Sequence, residues 1–187
     1  MEKTNSVPND VLNDERMSSQ EVEILEVKPN NWQLLRYLKI KSVKQEPLAF
    51  EDQESGLEKY QQRSEKEWKN SLEFKKSKRV SFFARSEVGF IGMAQAQVYG
   101  EYAYIRHVWV DKDARCRGVG RKMIKTLIEH LVEEHHVKTA QLSVLITQKP
   151  AVVLYERLGF RVVEILQHSA KRGDRFYSKY KMELELN

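Results

Sequence analysis

The chain has a single cysteine, Cys116, so no disulfide can close within it and a reducing compartment, the cytoplasm, is the expected location. Long apolar runs are missing too. The longest, such as Val80 to Ala84 and Ala151 to Tyr155, fall far short of the roughly 20 residues a membrane-spanning helix needs. Residues 1–20 contain no apolar core and carry Glu2, Asp10, Asp14 and Glu15, which fits neither a secretory signal nor an acid-poor transit peptide. They read as a disordered polar tail, followed by one domain over 21–187. Internal repeats and low-complexity segments are absent. What is present suits a soluble globular protein: 187 residues, 41% hydrophobic and 32% charged, enough to bury a core. The formal charge of +5 is modest and the cations are interspersed with 27 acidic residues, so no nucleic-acid partner is expected from composition.

Periodicity divides the chain. Val22 to Val27 alternates apolar and acidic residues as a half-buried strand does, and Pro29-Asn30-Asn31 ends it. Trp32, Leu35, Leu38, Ile40 and Val43 fall at helical spacing, with Pro47 marking the end of that element. From Glu51 to Lys78 a sparse stripe of Leu57, Tyr60, Trp68 and Leu72 predicts one helix or two short ones over the domain. Val80 to Arg85, Val88 to Tyr99 and Tyr102 to Val110 are β-rich and separated by short turns, a three-strand meander. Val119, Met123, Leu127 and Leu131, widened by Ile124, Ile128 and Val132, form the buried face of a long helix. Thr139 to Ile146 is a further strand, reached by that helical crossover and hence parallel to 102–110. Pro150 to Leu158 is a short helix stopped by Gly159, and Phe160 to Leu166 and Arg175 to Leu186 are closing strands. The predicted order is β-α-α-β-β-β-α-β-α-β-β, an α/β fold on a mixed sheet.

One stretch conflicts with helix electrostatics. Val108 to Gly120 runs from an apolar strand through a cationic, glycine-containing loop into the helix from Arg121, leaving several backbone N–H groups facing forward. A helix start favours acidic residues, yet here Arg115, Arg117, Arg121, Lys122 and Lys125 crowd it. Such a cluster calls for an anion. The P-loop pattern does not fit, and the dinucleotide fingerprint lacks its third glycine, that position being Met123. R-x-x-G-x-G does fit, as Arg115, Gly118 and Gly120, and a second segment, Ala151-x-x-Leu154-Tyr155-Glu156-x-x-Gly159-Phe160, lies downstream. Together they resemble the acetyl-CoA signatures of the GNAT superfamily of N-acetyltransferases, over about Ile24 to Leu184.

That resemblance implies acetyl-CoA as co-substrate, no metal, and acetyl transfer to a primary amine in a ternary complex. It implies a GNAT-like single domain whose parallel strands at 102–110 and 139–146 splay, so that the pantetheine arm pairs with backbone near Val108 and Val110. It places the phosphates against Arg115, Cys116, Arg117, Gly118, Val119, Gly120 and Arg121, where glycines let the backbone close in. By the same matching the Val108 N–H is the oxyanion donor, Tyr155 is the general acid toward the CoA sulfur, and Gln148, where many members have Asn, reaches the pantetheine. Tyr104 stands where several members carry a glutamate base, so Tyr104, His107, Glu101 and a water chain remain open as proton acceptors; strand alternation would turn His107 away from Tyr104, as a core histidine.

The acceptor follows less directly. The acidic run Glu51, Asp52 and Glu54 would suit a cationic small-molecule amine, or is simply solvated, and a protein lysine or N-terminal amine is the alternative acceptor. A non-catalytic acyl-CoA-binding module is the rival class, and a homodimer is left open. Cys116 has no His/Asp pair placed to activate it, His130, His135 and His136 read as favourable cations at a helix end rather than metal ligands, and Lys171 to Asp174 reads as a solvated hairpin turn or a border of the acceptor site.

Overall fold

The computed structural model describes residues 21–50 and 56–186. Strand β1 (Glu23–Glu26) precedes helix α1 (Trp32–Gln45) and four short helices, α2 (Pro47–Phe50), α3 (Leu57–Gln62), α4 (Glu65–Leu72) and α5 (Phe74–Ser77). Strands β2 (Arg79–Ser86), β3 (Gly89–Tyr99) and β4 (Tyr102–Val110) form the meander, α6 (Val119–His135) crosses to β5 (Thr139–Leu145), and α7 (Lys149–Arg157) leads to β6 (Arg161–Arg172) and β7 (Arg175–Glu185). The sheet order is β1-β2-β3-β4-β5-β7-β6, antiparallel except for β4 and β5. The mixed α/β order is therefore as expected, but the helical segment before β2 differs from the expectation. Residues 57–78 break into three short helices, because Arg63 and Glu73 adopt extended backbone and Ser64 starts α4 through a capping box with Glu67 (2.8 and 3.3 Å).

Each face of the sheet carries its own core. On one, α6 buries Val119, Met123, Ile124, Leu127 and Leu131 against Phe82, Ala94, Ala96, Ala103 and Ile105, each large side chain contributing about 1.5 to 3 kcal/mol. The alanines bring the helix close. On the other face α1, α3 and α4 bury Leu35, Leu38, Tyr60, Trp68 and Leu72 against Phe83, Met93 and Trp109. The β6/β7 hairpin is longer than expected: β6 continues to Arg172, so only Gly173 and Asp174 turn, and Lys171 and Arg172 belong to the strand. Arg172 Nε donates to the Leu48 carbonyl at 3.0 Å, tying the hairpin to α2.

Candidate functional site

The site grows from an irregularity in β4. Met93 pairs with Trp109 and Gln95 with Arg106, so Ala94 alone faces both His107 and Val108, and His107 takes a left-handed backbone (φ 54°) to fit. The extra residue reverses the alternation. Ala103 and Ile105 face the α6 core, but beyond the bulge Trp109 joins the α1 core while Val108 and Val110 turn toward α6. β4 and β5 pair only from Tyr102 with Thr139 to Tyr104 with Gln141, and beyond that their backbones are no longer paired. Asp111 N–H donates to Ile91 at 2.8 Å, so by alternation the Val110 peptide groups point away from β3 into the gap. There the Val110 carbonyl accepts from Arg115 Nε at 3.0 Å.

The loop leaving β4 forms the cradle. Asp111 caps a single 3-10 turn at Lys112–Ala114, accepting from the Asp113 N–H at 3.2 Å. Cys116 (φ 61°) and Gly118 (φ 75°) both lie in the left-handed region, a backbone alternation that gathers successive N–H groups into a concave anion-binding nest. Gly118 is the N-cap of α6, and no acidic residue occupies the first turn. The Lys122 N–H already bonds to Gly118, so the donors left over are those of Val119, Gly120 and Arg121. Arg117 and Arg121 are exposed beside them, whereas the Val119 side chain is in the core and offers only its backbone. A Cβ on Gly120 would stand 3.2 Å from Leu154 Cδ2 of α7, so glycine here lets the two helices approach.

Tyr155, on α7, is 7% exposed in the core of the α6 face, with Tyr104 near enough to act on its phenol. Burial, with Tyr104 adding to it, pushes its phenol above the ordinary value, so it stays protonated at any physiological pH. Gln148 is half-buried at the N-cap of α7. His107 does not follow the alternation expected of it. Its electrostatic neighbours are Lys39, Arg106, Arg79 and Arg63, the cations of the α1 face that it shares with Tyr104, and burial followed by these charges lowers its pKa well below the histidine value. Glu101 occupies the turn at the opposite end of β4, ion-paired to Lys138 at 2.5 Å. It is seven residues from Val108, more than about 20 Å along a strand.

Two ion pairs that the sequence reading missed fasten α1 to the cradle. Lys41 pairs with Asp111, and Glu46 with Arg115 at 2.7 Å. Burial acts against ionised Asp111, but the Lys41 ammonium and the Asp113 N–H outweigh it and hold the carboxyl below its usual range. Lys41→Met leaves that carboxylate without its counter-ion and should cost about 1 to 3 kcal/mol at pH 7. Because the folded pKa is depressed, the contribution is present above the unfolded value of about 3.9 and lost as pH falls through the folded one. Thermal melts from pH 7 to 3 should show the gap between wild type and variant closing below about pH 4.

Other predicted residues fall as follows. Cys116 is exposed in the nest. His135 stacks on Phe74 (4.3 Å) and meets His130 edge-on (5.3 Å), and burial lowers its pKa; ring packing, rather than charge at a helix end, accounts for it. No group of three metal-ligating side chains occurs among the described residues. Glu51, Asp52, Glu54 and residues 1–20 lie outside the described residues. A surface depression lined by Val22, Ile24, Arg85 and Lys122 lies at the β1 edge, away from the splayed strands.

Comparison with known proteins places this geometry. Residues 43–160 match the model of the acetyltransferase (GNAT) family. A probable spermine N(1)-acetyltransferase of Bacillus subtilis subsp. natto is 31% identical over 83 residues, 40% of this chain and 55% of that protein. An N-alpha-acetyltransferase of Sulfurisphaera tokodaii is 26% identical over 93 residues, 50% of this chain and 56% of that protein. The chain thus spans about half the length of the curated relatives it matches. A Salmonella typhimurium structure solved with its cofactor acetyl-CoA superposes with a TM-score of 0.73 at 13% identity, covering 89% of this chain and 95% of that one.

Proposed function

The chain belongs to the acetyltransferase (GNAT) family, and from that premise we propose that it transfers the acetyl group of acetyl-CoA to a primary amine by direct attack in a ternary complex. The observation that carries the reading is the separation of β4 from β5 beyond Tyr104, with an anion nest at one end of the opening and Tyr155 against it. The nest and Arg117 and Arg121 hold the CoA phosphates, and the pantetheine amides pair with the free edge of β4 at Val108 and Val110 and reach Gln148. For that arm to dock, Arg115 releases the Val110 carbonyl.

Attack by a neutral amine puts negative charge on the thioester oxygen, where the Val108 N–H stabilises it. Collapse of the intermediate expels the thiolate, to which the Tyr155 hydroxyl donates, and the phenolate regains a proton from the water that takes the one leaving the amine. The amine proton goes to water: Tyr104 is a phenol, His107 is held neutral but weakly basic, and Glu101 is at the wrong end of the strand. The acceptor is a small-molecule amine, a reading supported by the Bacillus relative's being named for spermine; the Sulfurisphaera relative, named an N-alpha-acetyltransferase, supports the alternative of a protein N-terminal amine, and a protein lysine is the remaining alternative. Thiol release from acetyl-CoA over a panel of spermine, simple amino compounds and short peptides tests this directly. Release with at least one amine is the expected result, and saturable acetyl-CoA binding with no release on any would leave an acyl-CoA-binding module.

A further inference from the structure

The α1 face of the sheet changes character along its strands. At one end Phe83, Met93 and Trp109 are covered by helices; next comes a row of Ser81, Gln95 and Arg106, then a row of Arg79, Gln97 and Tyr104. The Ser81 and Gln95 side chains satisfy each other at 2.6 Å, and Arg79 Nε donates to Gln97 Oε1 at 2.9 Å. Arg106 has no hydrogen-bond or ion-pair partner among the described residues. Arg63 reaches toward the same place from the end of α3, its guanidinium 4.8 Å over the Trp68 ring and 5.8 Å from that of Tyr60.

None of these three arginines is paired with a carboxylate among the described residues, although Arg85 and Arg115 elsewhere are paired with Glu23 and Glu46. They also act on one another: burial first, then Arg106 and Arg63, lower the Arg79 pKa. Gathering like charges on a half-buried surface opposes folding unless an anion joins them.

Resting on the proposed acetyl transfer, we propose that the acceptor amine carries a carboxylate near its reacting nitrogen, and that Arg79, Arg106 and Arg63 hold that carboxylate on the α1 face beside Tyr104. Guanidinium groups suit a carboxylate bidentately, and they repel a polycation. The same charges lower the pKa of an ammonium brought among them, so more of the acceptor arrives neutral and a water suffices as proton acceptor. This assigns a reason to the lack of a glutamate at Tyr104.

The test pairs turnover with binding. Acetylation should favour carboxylate-bearing amines, either free amino acids or peptides with an acidic residue next to the N-terminus, and the two arms of the panel separate those sources. Each should be preferred over its amide counterpart and over spermine. Arg106→Gln, and separately Arg79→Gln, should raise KM for the carboxylate substrate about ten- to a hundredfold with the acetyl-CoA Kd little changed, and any fall in kcat should be recovered at higher pH, where the bound ammonium deprotonates without the lost charge. Arg106→Glu should shift preference toward spermine. Calorimetry with N-acetyl-L-glutamate in the presence of CoA reads the site without turnover, and should show binding that Arg106→Gln weakens. Amide and carboxylate amines used equally well, or N-acetyl-L-glutamate failing to bind, overturns the inference while leaving acetyl transfer standing. No turnover with any amine refutes acetyl transfer, and the inference with it.

Discussion

Gly120→Glu is expected to lose acetyl-CoA binding by at least about a thousandfold in calorimetry while the protein still folds, since two or three charge-assisted hydrogen bonds at about 1.5 to 3 kcal/mol each are replaced by repulsion. The two consequences separate because the same carboxylate acts oppositely on helix and ligand. No acidic residue occupies the first turn of α6, so a glutamate there meets unpaired N–H groups and the positive end of the dipole, a favourable contact of about 0.3 to 1 kcal/mol. Against that, its Cβ would stand 3.2 Å from Leu154 Cδ2, the end of a flexible side chain that can yield. Gly120→Ala isolates the steric part and should weaken binding far less. Equal loss in both variants would mean that helix spacing, not charge, is at stake; unchanged affinity in the glutamate variant would remove the CoA phosphates from this nest.

The cradle was legible because its signals are local. Arg115, Gly118 and Gly120 are close neighbours in sequence, the helix they open has an apolar repeat, and the conflict between cations and dipole can be read without any distant contact. The parallel relation of β4 to β5 was likewise contained in the length of the crossover. The bulge was not. A strand read as strict alternation puts Trp109 with Ala103 and Ile105, whereas one added residue at His107 and Val108 sends it to the other core; the only local hint is the loss of alternation in Val108-Trp109-Val110.

What stayed illegible depends on pairing across long sequence separations. Lys41 and Asp111 are 70 positions apart, and Arg63, Arg79 and Arg106 come from a helix end and two strands; each reads alone as an ordinary surface cation. Only the register of β2, β3 and β4 sets Arg79 and Arg106 in neighbouring rows of one face, and no local pattern in either strand announces it. The acceptor chemistry was therefore beyond reach of a motif, while the donor chemistry was within it.

Tyr155→Phe is expected to lower kcat by about a hundredfold to ten-thousandfold, the usual contribution of a positioned proton donor, with the acetyl-CoA Kd unchanged. Phenylalanine keeps the edge-on contact with Phe160 (ring centroids 5.9 Å), so packing survives. The Tyr155 hydroxyl makes no hydrogen bond among the described residues, so its removal leaves no buried partner stranded. The direction of its pKa shift gives a further readout. A phenol of ordinary value would be about half ionised at pH 10, but burial holds this one above that, so wild-type turnover should not decline through pH 10 on account of Tyr155. A spectrophotometric titration should accordingly find one late-ionising tyrosine that the variant lacks. The role itself is tested by the leaving group: an acetyl thioester of a more acidic thiol needs less help in departing, so the deficit of Tyr155→Phe should shrink with that donor. A deficit of the same size with both donors would assign Tyr155 to positioning the thioester, and full turnover of the variant with acetyl-CoA would remove it from the chemistry altogether.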